Sequence, residues 1–208
     1  MAVRQTELLC HELLLKLAGR LPDRHLWRYR DWLAGEAAGV VARVLPSTLV
    51  SERITITDDE HQLMSDALLP LGGDPAVINA VLPSDGTVTN YKFSAESPVD
   101  SRGDTEALVL GATLRGRPGV GEVRCSWRRV GDGEPRRIVL VTASAEFVAL
   151  TGEIQRVLRA LGEAEPRVEV LPPDVELPAY HRDALEESAL VCTGAEELAG
   201  HRSGGGHP

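Results

Sequence analysis

The most regular alternation of apolar and polar positions lies in residues 106–144, EALVLGATLRGRPGVGEVRCSWRRVGDGEPRRIVLVTAS. Three runs within it, 106–114, 122–130 and 136–143, are rich in Val, Leu, Ile and Trp and are separated by turn residues, the pattern of antiparallel hairpins. Pro118, Gly119 and Gly121 fill the first turn. Gly131-Asp132-Gly133 fills the second, where glycine supplies the positive φ of a tight connection. Successive strand side chains alternate, so Val123, Cys125 and Trp127 share a buried face, and Glu122, Arg124, Ser126 and Arg128 share a wet, mainly basic one. The two outer runs are apolar on both parities, which predicts deeper burial than the middle run receives, an odd order for a plain meander.

Before this stretch the period is helical. Thr6 is placed to cap a helix through Leu17 with Leu9, Leu13 and Leu17 on one stripe, and Gly19 ends it. Asp23 caps a second helix carrying Leu26, Trp27, Arg30 and Leu33; Gly35 and Gly39 interrupt it or admit a close neighbour, and Pro46 closes the segment. Thr57-Asp58-Asp59-Glu60 has the form of a capping box and predicts a helix over 58–69. Gly72-Gly73-Asp74-Pro75 breaks the chain before a short helix with Val77, Ile78 and Val81.

At Pro83-Ser84-Asp85-Gly86 the period changes. Residues 87–94 alternate as a strand with Tyr91 and Phe93 on one side, and 95–105 read as an exposed loop. After the hairpins, Ser144 is placed to cap a helix whose stripe runs through Phe147, Leu150, Ile154, Val157, Leu158 and Leu161. Residues 167–171 return as a strand, 180–190 form a short helix, and a second capping-box form at Thr193–Glu196 introduces a last turn. The fold class is therefore α+β: a helical region at 1–83, an antiparallel sheet with a covering helix at 84–172, a helical segment at 173–200 and a disordered tail at 201–208.

Charge changes this picture in one respect. The net charge is -9, which argues against general affinity for nucleic acid or anionic membranes, yet the chain alternates basic, acidic, basic, acidic along its four quarters. No window of about 18 uncharged apolar residues exists and the start is not a signal peptide, so a cytoplasmic protein is expected. Cys10, Cys125 and Cys192 are widely spaced, without CxxC, and read as free thiols. Lys16 and Lys92 are the only lysines among 22 basic residues, a bias that points to a high-GC, actinobacterial source.

Each chemical motif has a stronger structural reading beside it. His11-Glu12 opens like HExxH, but Leu15 stands where the second histidine belongs. Cys10 and His11 are helix neighbours roughly 100° apart, poor geometry for a nucleophile and its base. Asp58, Asp59, Glu60 and His61 are an alternative cation or acid-base site, but helix capping already accounts for them. Gly116, Gly119 and Gly121 do not form a phosphate loop, and His201 and His207 belong to the tail. Arg20, Arg24, His25, Arg28 and Arg30 surround Trp27, Tyr29 and Trp32, but with no helix-turn-helix or RNA-binding signature.

The denser basic group is Arg115, Arg117, Arg124, Arg128, Arg129, Arg136 and Arg137. The sequence therefore points to a non-catalytic, cofactor-free interaction or regulatory module. It would engage a protein partner through Arg115, Arg117, Arg124, Arg128 and Arg136 on the sheet face. A metal-dependent enzyme using residues 58–61 is the alternative, and a nucleic-acid-associated regulator a further one.

Overall fold

A computed structural model describes residues 2–84, 91–97, 104–173 and 175–195. The chain divides into two compact units, Met1–Thr89 and Asn90–Pro208. Residues 87–90 of the strand expected at 87–94, most of the 95–105 loop, the turn after Thr193 and the tail lie outside the described residues. No helix among the described residues is long and apolar enough to cross a membrane.

The first unit is helical. Helix α1 (Ala2–Lys16) starts ahead of Thr6, which is buried within it rather than capping it, and buries Leu13, Leu14 and Leu15; Gly19 turns the chain at φ 83°. Helix α2 (Asp23–Ala34) buries Leu26, Tyr29, Arg30 and Leu33, and the Tyr29 hydroxyl lies 2.6 Å from Thr48 Oγ1 on α3 (Ala38–Ser51). Pro46 does not end this segment but sits buried inside α3. A proline forfeits one helical hydrogen bond, and here the burial of Val41, Ala42, Leu45 and Leu49 on one face of the helix offsets that loss.

Helix α4 (Asp58–Leu68) opens with the expected capping box. Thr57 accepts from the Glu60 N–H, and the Glu60 carboxylate accepts from the Thr57 N–H at 3.0 Å. Arg20 fastens this corner by donating to the Lys16 carbonyl at 2.8 Å, to the Thr55 carbonyl at 3.1 Å and to Glu60. A 3₁₀ turn at Leu69–Leu71 and Gly72 at φ 85° lead to α5 (Pro75–Asn79), capped by Asp74.

The second unit is a five-stranded sheet with helices on both faces. Its elements in chain order are β1 (Tyr91–Ser94), α6 (Thr105–Leu114), β2 (Val120–Val130), β3 (Arg136–Ala143), α7 (Phe147–Ala160), β4 (Val168–Leu171), α8 (Ala179–Glu186) and β5 (Ala189–Thr193). Strand order is β1-β2-β3-β4, antiparallel except for the parallel β3–β4 pair. β5 also pairs with β2, antiparallel. Trp127 to Val130 pair with β1 and Glu122 to Cys125 with β5, so these two short strands share the β2 edge opposite β3.

Residues 106–114, expected as the first strand, are helix α6. Asp104 caps it by accepting from the Ala107 N–H at 3.0 Å, and its buried positions, Leu110, Gly111 and Leu114, fall at helical spacing. A run apolar on both parities fits a helix as well as a buried strand, and the cap decides for the helix. This also removes the odd order of burial. β3 is flanked by β2 and β4 and is covered on both faces, which is why Ile138 to Val141 are all buried.

On one face, α6 and α7 cover Val123, Cys125, Val139, Val141, Val168 and Val170 through Leu110, Leu114, Leu150, Ile154 and Leu158. Each such aliphatic side chain contributes about 2 kcal/mol when fully buried. α7 begins later than Ser144, with Glu146 left-handed at φ 55° before it and no side-chain cap, and Leu161 is its exposed C-cap.

Candidate functional site

The five arginines singled out in the sequence do not form one surface. Arg124, Arg128 and Arg136 do share a sheet face, but that face is only partly wet: α8 and the turn behind it lie across it. Ser126 donates to the Glu187 carbonyl at 2.6 Å, and Arg124 donates to Ser188 Oγ at 2.8 Å and pairs with Glu122 at 2.8 Å. Arg128 is buried, donates to the Tyr180 hydroxyl at 3.1 Å and lies 5.3 Å from the Tyr91 ring centre. The polar alternation of β2 thus provides hydrogen bonds to α8 and the turn after it, while Arg124 and Glu122 keep partial contact with water. Arg136 is exposed at the far end of this row. Arg117 makes a bidentate pair with Glu153 of α7, at 2.5 and 2.9 Å, and this pair holds the Glu153 carboxyl below its ordinary range although burial opposes it. Arg115, the exposed C-cap of α6, has no ion pair among the described residues.

Beneath α8 lies a polar contact that the sequence reading missed. His181 and Glu169 are both almost wholly buried, with Nε2 and Oε2 2.9 Å apart. An alternating strand would leave Glu169 at a wet position, whereas all four residues of β4 are buried. The pairing of a strand carboxylate with a helix imidazole twelve residues on leaves no local signature in the sequence.

The opposite face holds a groove of about 560 Å³. Ala107, Leu108, Gly111, Ala112 and Arg115 wall it along one side of α6. Cys125 and Trp127 of β2 lie where β5 gives way to β1, and Ala189, Leu190 and Val191 close the β5 side. Leu108 and Leu190, at 73% and 51% exposure, stand at its rim. At one end Arg137 stacks 4.8 Å from the Trp127 ring centre and donates to Asp104 at 2.6 Å, with Glu106 Oε2 3.4 Å from its Nε. Burial pushes the Asp104 carboxyl up, but the bonds from Arg137 and the Ala107 N–H outweigh it, and the net displacement is downward. For Glu106, burial wins over the attraction of Arg137 and the carboxyl is raised. The Cys125 thiol is pushed up to about 12 by burial, against the pull of Arg137, so it is no nucleophile at neutral pH. Burial also raises Cys192, against the nearby Arg115.

In the first unit, Glu60 of the 58–61 group serves the fold. Glu60 is engaged by Thr57 and Arg20; Asp58 and Asp59, but not Glu60 or His61, face a hollow shared with Thr57, Pro83 and Ser84. No group of three or more His, Cys, Asp or Glu among the described residues is placed to hold a metal ion. Cys10 and His11 are both buried, and burial, seconded by Glu7, pushes the Cys10 thiol up to about 12. Of the aromatic and basic group around Trp27, Arg30 is buried, Arg24 and His25 both reach Glu52, and Arg28 lies 5.8 Å from the Trp27 ring centre. Comparison of the chain with protein-family models, with curated proteins and with solved structures finds no match.

Proposed function

We propose that the chain is a non-catalytic binding module of the regulatory kind, whose occupant enters the groove between α6 and β5. The observation that carries this reading is the groove itself. It falls in the size range of small-molecule sites, its walls are mainly apolar, and few polar groups reach it. The arginine-bearing sheet face supports binding less well, because Arg124 and Arg128 are engaged by α8 and its turn, and Arg117 by Glu153. What argues for binding rather than turnover is the state of the lining groups: a thiol held protonated, and a carboxylate held ionised by its own arginine.

The test uses a fluorescent apolar probe, anilinonaphthalene sulfonate, with the full chain and with Gly111→Leu. A Cβ at Gly111 meets only Val191, at 4.0 Å, so the larger side chain extends into the groove without a backbone clash. Wild-type protein is expected to enhance probe emission saturably, and Gly111→Leu to abolish the enhancement with an unchanged circular dichroism spectrum. Equal enhancement by both proteins places the site elsewhere and removes the proposal.

A further inference from the structure

We infer that the groove's occupant is an apolar chain ending in a single carboxylate, a free fatty-acid-like amphiphile, with its head group on Arg115; this rests on the reading of the groove as a binding site. Asp104 spends one carboxylate oxygen on the Ala107 N–H and the other on Arg137. Ser97 also has a partner already. Arg115 is the lining side chain with charge left to offer, and it stands at the opposite end of the α6 wall from Asp104. Leu108, Gly111 and Ala112 separate the two ends, with Val191, Leu190 and Trp127 facing them.

An apolar body with one anionic end matches that distribution. A peptide would bring an N–H and a C=O at every residue, and the side chains lining the groove leave too few polar partners for them. A cationic amphiphile would meet Arg115 with like charge. The Asp104 end offers it little, since Arg137 already neutralises that carboxylate.

The test is calorimetric titration of the full chain with decanoate, decan-1-ol and decyltrimethylammonium, the two ions below their micelle concentrations and the alcohol below its solubility limit. Decanoate is expected to fill a single saturable site, binding about fivefold more tightly than the alcohol, the upper end for an exposed ion pair, with the trimethylammonium weaker still. Arg115→Gln should weaken decanoate by the same factor and leave the alcohol unchanged. Octanoate should bind on the order of tenfold more weakly than decanoate, as the loss of two buried methylenes requires.

Equal binding of all three heads, unchanged by Arg115→Gln, overturns the carboxylate assignment and leaves the groove reading standing. Failure of every amphiphile, or binding that Gly111→Leu does not disturb, overturns both. Binding of an acidic, leucine-rich peptide in the absence of decanoate binding overturns the inference in favour of a protein partner.

Discussion

Asp104 joins capping to charge. Its carboxylate closes the first turn of α6 and holds Arg137 against Trp127, so it positions both the helix wall and the polar end of the groove. Because its folded carboxyl lies below the ordinary 3.8, the stability it contributes is present above that value and lost as pH falls through it toward the folded value. Glu106, raised above 4.5, works the other way: its contribution is full at low pH and declines as pH rises through 4.5 to the folded value. Asp104→Asn keeps a good capping side chain and removes the charge together with the oxygen that accepts from Arg137. Urea unfolding followed by circular dichroism should show a loss of about 1 kcal/mol at neutral pH, shrinking as pH falls below 3.8. A loss that stays constant as pH falls would mean that acceptor geometry, not charge, is what Asp104 supplies. At this scale the sequence is legible where partners are a few residues apart. Thr57 and Glu60 were read correctly because a capping box is local, whereas Asp104–Arg137 and Glu169–His181 depend on the sheet bringing distant residues together.

The same distinction between local and distant contacts governs the elements. β2 and the core stripe of α7 follow from their periodicity, which tertiary packing reinforces, and β3 from a short β-branched apolar run after the Gly131–Gly133 turn. α6 was misread because a run apolar on both parities has no period to choose by, and the deciding cap lies outside the run. β5 was missed because five residues after a helix carry little signal, and it exists by virtue of the edge that β2 offers. That edge is held at one end by two glycines. The Gly194 N–H donates to the Gly121 carbonyl at 2.6 Å, and a Cβ on Gly194 would run into the Val120 carbonyl. Gly194→Ala should therefore displace β5 from β2 and destabilise the unit by about 2 kcal/mol. Loosening β5 would uncover Cys192, buried at 5% exposure, so a thiol reagent should modify it much faster in the variant than in the parent. An unchanged melting temperature together with an unchanged labelling rate would show that β5 is anchored along its length rather than at its end.

Each half of the molecule contains its own means of stability. The first unit encloses Leu13, Leu14, Leu45, Leu49, Met64 and Leu68 among its helices, and Arg20 closes its corner with partners from the same unit. The second has a separate core between the sheet and α6 and α7, with the covered polar face on the other side of the sheet. No residue of the proposed ligand site comes from the first unit. If cores of this kind suffice, residues 1–89 and 90–208, produced separately, should each unfold cooperatively on heating. The first should give a helical circular dichroism spectrum, and the second should bind decanoate within about twofold of the full chain, since fragments sharing no site residue behave additively. If the second fragment folds and fails to bind, the groove depends on the helical unit, and the regulatory reading would then have to include communication between the two. If neither fragment unfolds cooperatively, each core needs the other, and the chain is one thermodynamic domain despite its two compact units.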